Sequence, residues 1–179
     1  RILSAIARHF EKSGDWESLA KALWQNLESV KDDTERARLL KRQAWVHEAH
    51  LKQPERAQRL LQKALPLSPK DAGVIKSLLA VSTALKDPKG MAQALEHEAE
   101  LPALSKKEKG ERLERAAEAR DRAKEGKKAF ANIKKSLSLR PKHPRALKLL
   151  ERITRRLGNW EAHTFALEQQ LELLRPKRS

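Results

Sequence analysis

Apolar residues recur every three or four positions along the whole chain, and no useful length alternates with a period of two. The first stripe, Ile2, Leu3, Ile6, Ala7 and Phe10, stops near Ser13-Gly14. Asp15 is placed to cap a second helix carrying Leu19, Ala20, Leu23, Leu27 and Val30. Asp32-Asp33-Thr34 breaks the pattern and caps a third helix, with Leu39, Leu40, Ala44 and Val46 or His47, that ends about Lys52-Gln53. Pro54 suits the first turn of a fourth helix, where its missing N–H costs nothing. Further stripes predict helices near 71–85, 88–101, 106–124, 127–138, 144–157 and 160–174. Connections of two to five residues make consecutive helices antiparallel. The expected fold is all-α, with ten helices in five hairpins at about 1–30, 34–66, 71–102, 106–138 and 144–174.

The stripes are copies of one another. Gly14-Asp15-Trp16-Glu17 returns as Gly158-Asn159-Trp160-Glu161, with a degenerate copy, Lys86-Asp87-Pro88-Lys89, midway. Ala64-Leu65-Pro66-Leu67-Ser68-Pro69-Lys70 recurs 72 residues on as Ser136-Leu137-Ser138-Leu139-Arg140-Pro141-Lys142. A fixed period marks stacked supersecondary units, each packed mainly on its neighbours. Second helices start near 16, 55, 88, 127 and 160, so longer and shorter units alternate.

At the second hairpin, Ala57, Leu61, Ala64 and Pro69 follow the Ala-x3-Phe-x2-Ala-x4-Pro spacing of the second helix in tetratricopeptide repeats, and Ala129, Ile133, Ser136 and Pro141 repeat it. Gly158-Asn159-Trp160 is similar to the Gly-Asp-Tyr turn between the two helices of a repeat. The chain therefore resembles the tetratricopeptide superfamily, in a bacterial-type array of long and short repeats. No unit carries the family's full first-helix signature, Leu19 and His163 stand where a small residue is expected, and there is no tyrosine. The resemblance implies a single right-handed α-solenoid over 1–179, acting as a non-catalytic protein-binding scaffold, and the start at Arg1 without methionine makes a fragment of a longer chain the expectation. The resemblance also implies that Trp16 and Trp160 pack between the helices of a pair, leaving Trp24 and Trp45 as partly exposed anchors.

Net charge is +15, and its distribution sharpens the picture. Between Arg122 and Arg156, thirteen Lys and Arg stand against only Glu125 and Glu151, an excess of eleven. Such a concentration points to an anionic partner. On the helix from Pro144 to Leu157, Arg145, Lys148, Arg152 and Arg155 project together beside an apolar stripe. In the resembled family those offsets face the concave groove, so an acidic peptide or protein surface is the expected partner. Lys127, Lys128, Lys134 and Lys135 form a secondary basic patch opposite Ala129, Ile133 and Leu137. Two other readings stay open: sequence-independent RNA or DNA binding through the 122–156 region, and a passive spacer in a multidomain protein.

Catalytic and metal signals are poor. Without cysteine there is no thiolate site and no disulfide. His47-Glu48-Ala49-His50 is one residue short of the His-Glu-x2-His zinc motif and reads as a pair of surface histidines. No phosphate loop or nucleophile elbow is present, so neither enzyme nor cofactor is expected. No apolar run spans a bilayer. A cytoplasmic location is expected, with a periplasmic one as the alternative. The apolar last helix, with Phe165, Ala166, Leu167, Leu171, Leu173 and Leu174, suits further repeats or self-association.

Overall fold

The computed structural model describes residues 2–175, with side chains from Ala5 onward; Ile2 and Leu3 of the first stripe lie outside the described side chains. Ten α-helices, with no strand among the described residues, run α1 (Ile2–Ser13), α2 (Trp16–Ser29), α3 (Asp33–Trp45), α4 (Pro54–Leu67), α5 (Ala72–Ala84), α6 (Pro88–Ala99), α7 (Lys106–Arg122), α8 (Gly126–Leu139), α9 (Pro144–Leu157) and α10 (Trp160–Leu174). The end of α3 widens into a π-helical turn over Val46–His50. Helices α1 and α2, α3 and α4, α7 and α8, and α9 and α10 pack as the expected hairpins. The chain divides into two compact units, 1–90 and 91–179, with the division inside α6.

One device makes all five hairpin turns. A residue in the left-handed region follows each first helix: Gly14, Lys52, Lys86, Lys124 and Gly158. The next N–H bonds back across the turn, Asp15 to Phe10 O at 3.1 Å, Asp87 to Ser82 O at 2.9 Å, Glu125 to Arg120 O at 2.9 Å and Asn159 to Thr154 O at 3.0 Å. This is the Schellman closure, which satisfies carbonyls that the helix end leaves unpaired. At the π turn the bond reaches one residue further, Gln53 N to His47 O at 2.8 Å, because the wide turn holds an extra residue. The following residue then caps the second helix: Asp15 accepts from Ser18 N at 3.0 Å, Asp87 from Gly90 N at 3.0 Å and Asn159 from Ala162 N at 3.2 Å. Lys86-Asp87 is thus a working copy of Gly-Asp, with lysine bearing a strain that glycine avoids.

In the first unit the core gathers Ala7, Leu19, Leu23, Leu39 and Val46, flanked by Phe10, Trp16 and Leu27. Ala57, Leu61 and Ala64 are fully buried on α4. In the second unit Ala129 and Ile133 of α8 meet Ala146, Leu150 and Ile153 of α9 and Ala166 of α10. Both sets match the small-large-small spacing: a missing side chain lets two helices close, and a branched one fills the space beside it. Pro69 and Pro141 are exposed just past the ends of α4 and α8.

Two aromatic expectations need correction. His47 is buried at 2% exposure, and His50 stacks on Trp16 with ring centroids 3.5 Å apart and planes at 10°, so neither is a free surface histidine. Trp45 meets both Trp16 and His50 edge-on. Trp16 is therefore covered by rings from the next hairpin. Its counterpart Trp160 is 64% exposed, and its one ring contact among the described residues is with His163, on its own helix. The cover belonged to the neighbouring repeat and not to the turn.

Replacing Lys86 and Lys124 with glycine should raise stability by about 1 kcal/mol, read from urea midpoints, since the left-handed backbone stays and its strain goes. Conversely, Ala57→Leu or Ala129→Leu should lower it by about 1–3 kcal/mol through overpacking.

Candidate partner-binding surface

Pro144 opens α9 and Gly158, at φ 67°, closes it. Ala146, Leu149, Leu150 and Ile153 anchor its apolar side, which fixes the direction of the basic side. Arg145 reaches α7, its Nε 3.1 Å from Glu114 and its Nη2 3.2 Å from Glu118. Two turns on, Arg152 Nη2 lies 3.1 Å from Asp121, which also pairs with Arg156. The acids Glu114, Glu118 and Asp121 are spaced by four and three along α7, so they form one ridge against the arginines. Acidic compensation missing from residues 122–156 thus comes from the preceding first helix.

The four predicted groove residues therefore divide. Arg145 and Arg152 are held at one end by carboxylates yet keep side-chain exposures of 70% and 59%. Lys148 and Arg155 are exposed and have no ion-pair partner among the described residues. On α7 itself Arg115 and Arg122 are exposed, the latter tied to Glu118 at 3.0 Å.

The α8 patch is more dispersed. Lys128 pairs with Glu125 at 3.2 Å, and Lys134 Nζ sits 5.6 Å from the Phe130 ring centre. Lys127 and Lys135 are exposed, without ion pairs among the described residues.

Beneath these surfaces runs a polar network that periodicity did not single out. Arg120, with its side chain 7% exposed, donates through Nε and Nη2 to Glu96 at 2.8 and 2.6 Å and also pairs with Glu125. Asn132 donates to Glu96 at 2.6 Å. Burial pushes the Glu96 carboxyl up, but hydrogen bonds from Arg120 and Asn132 outweigh it and hold the pKa below the usual carboxylate value. Glu125 is lowered chiefly by its bond to Arg120, whose own pKa is raised. Arg140 does the same work at the C-cap of α8, donating to Gly110 O at 3.0 Å and to Glu114 at 2.5 Å. These groups order α6, α7 and α8 and so set where α9 can lie.

The first unit has a smaller charged surface that the charge count passed over. A shallow cleft there is lined by Glu11, Arg38, Lys41, Arg42 and Trp45. Arg42 pairs with Glu11 at 2.5 Å and Lys41 with Asp71 at 3.2 Å, while Trp45 remains 44% exposed. No group of three or more metal-binding side chains occurs among the described residues. No described helix is long and apolar enough to cross a membrane.

No protein-family model matches the sequence, and no curated protein matches it. Among solved structures the chain is similar to a crystal structure of MamA protein, at 18% identity over 96% of this chain and 89% of that one, with a TM-score of 0.49. It is similar to MamA 41-end from Desulfovibrio magneticus RS-1 at 20% identity, covering 99% and 96% with a TM-score of 0.47. PilW, a widely conserved type IV pilus biogenesis factor, matches at 17% identity, covering 99% of this chain and 78% of that one with a TM-score of 0.48.

Arg120→Met should cost about 3 kcal/mol, because it strips the guanidinium from a partly buried carboxylate. The folded pKa values of Glu96 and Glu125 lie below their unfolded ones, so their stabilisation is complete above about pH 5 and is lost as pH falls. Urea midpoints of the parent should drop between about pH 5 and pH 3, and those of Arg120→Met should drop less over that range.

Proposed function

We propose that the chain is a non-catalytic protein-interaction scaffold that docks an acidic peptide or protein surface on the basic face of α9. The observation that carries this reading is the pairing of Arg145 and Arg152 with the α7 carboxylates beside unpaired Lys148 and Arg155. An arginine tethered through one edge of its guanidinium has lost much of its rotamer freedom, yet at these exposures still offers N–H groups outward. A partner carboxylate would meet pre-oriented donors at Arg145 and Arg152, and uncompensated charge at Lys148 and Arg155. Arg suits this role through its planar fork, which engages a carboxylate with two bonds. Exposed charge contributes mainly association rate and selectivity, so apolar contacts must supply much of the affinity. Nothing at the site favours a reaction: the surface holds cations and their carboxylate partners, and no paired base and nucleophile.

The double variant Lys148→Glu and Arg155→Glu should weaken binding of a fluorescein-labelled oligoglutamate peptide by about tenfold or more at low salt. Far-UV circular dichroism should be unchanged. Reversing Lys127 and Lys135 on α8 should change affinity by no more than about twofold. Equal affinity of parent and α9 variant removes the groove assignment, and displacement of the peptide by a single-stranded oligonucleotide at lower concentration favours polyanion binding instead.

A further inference from the structure

The first unit has a second cleft, on the side of α3 away from Trp45. Between α2 and the start of α4 lies an open cleft of about 510 Å³. Its floor is formed by Gln43 and His47, 3% and 2% exposed. The two are four residues apart and so share one helix face, their Cβ atoms about 5–6 Å apart.

Their bonding leaves two acceptors without partners. Gln43 donates from Nε2 to Ala20 O at 3.2 Å, which identifies the other amide atom as oxygen, and that buried Oε1 has no hydrogen-bond partner. His47 Nδ1 lies 3.1 Å from Gln53 Oε1, so it carries the proton and donates. The remaining nitrogen, Nε2, is buried and also unpartnered. Burial, then the charge of Arg56, push the His47 pKa down, which keeps the ring neutral and Nε2 an acceptor near neutral pH. A buried polar atom without a partner costs on the order of a hydrogen bond, so a water, an ion or a ligand group that supplies the missing bond is favoured there.

The complementary group must bring two N–H bonds, and a neutral one is favoured because Arg56 and Lys21 outweigh Glu17 among the charged residues lining the cleft. A primary carboxamide meets this: its NH2 offers both protons, and its C=O can accept from the Arg56 guanidinium. Trp24, 42% exposed, supplies a flat apolar wall. Trp24 and Arg56 also line an adjoining hollow of about 600 Å³ along α4, where Arg59 and Lys63 stand exposed. The two hollows form a trough, which fits an extended chain better than a compact metabolite.

We propose that this trough binds an extended peptide that inserts an Asn or Gln side chain between Gln43, His47 and Arg56 and lays acidic residues toward Arg59 and Lys63. The inference does not depend on the α9 surface, which lies in the other unit.

The test uses the whole chain and N-acetylated, C-amidated hexapeptides. One peptide carries Gln ahead of three Glu residues; in two controls Leu or Glu replaces that Gln. In 15N–1H spectra, the Gln peptide should shift the Trp24 indole and Gln43 side-chain signals saturably. Arg56→Gln, at an exposed position, should weaken this about tenfold, while Lys148→Glu should leave it unchanged. Gln43→Met removes the acceptor at similar volume and should abolish the preference for Gln over Leu; its thermal midpoint reports whether the fold persists. Equal binding of the Leu control, or no saturable shift with the Gln peptide, overturns the proposal. Stronger displacement of the same signals by an adenine oligonucleotide overturns it in favour of a nucleobase site.

Discussion

The closed turn inside each hairpin is the constraint on which the rest of this structure depends. Five times the chain places one residue in the left-handed region and bonds the following N–H back across the turn. The reversal brings consecutive helices side by side. Only then can the small residues at the crossing, Ala57 and Ala129 among them, set how closely the helices approach. Where lysine occupies the turn the geometry persists at a cost, since the closing bonds and the packing of two helices over-determine a single residue. The π turn at Val46–His50 is the one place where a residue is added, and it is also where His50 comes to lie against Trp16 and His47 beneath the α2–α4 cleft.

Charge is organised by the same packing. Consecutive first helices in the second unit face each other through Glu114, Glu118 and Asp121 on one side and Arg145, Arg152 and Arg156 on the other. The carboxylates of Glu114 and Asp121 are nearly buried, whereas the arginines remain half exposed or more. Each pair is thus asymmetric: it satisfies the acid and orients the base. A basic surface made this way is rigid at its roots and available at its tips, unlike Lys127 and Lys135 on α8, which are exposed without ion pairs among the described residues.

The two clefts discussed differ in kind. On α9 the basic side chains are displayed on an exposed surface. Between α2 and α4 the polar atoms are few, buried and fixed in type, so the chemistry they accept is narrow. Buried acceptors discriminate sharply because a wrong group leaves them unpaired.

How much was written in the sequence follows from the range of each interaction. Helix positions, the caps at Asp15, Asp32 and Asn159, the hairpin order and the buried small-large-small spacing depend on residues within one turn or one repeat, and the residue pattern specifies them. The equivalence of Lys86-Asp87 with Gly14-Asp15 was legible as a degenerate copy for the same reason. Tertiary structure alone decided what each helix face meets. Arg145 and Arg152 are 27 to 31 residues from the acids that hold them, Trp16 is covered from the next hairpin while Trp160 is not, and His47 lies buried rather than on the surface. Periodicity states which side of a helix is apolar, but partners for the polar side come from other helices, at separations that no local pattern encodes.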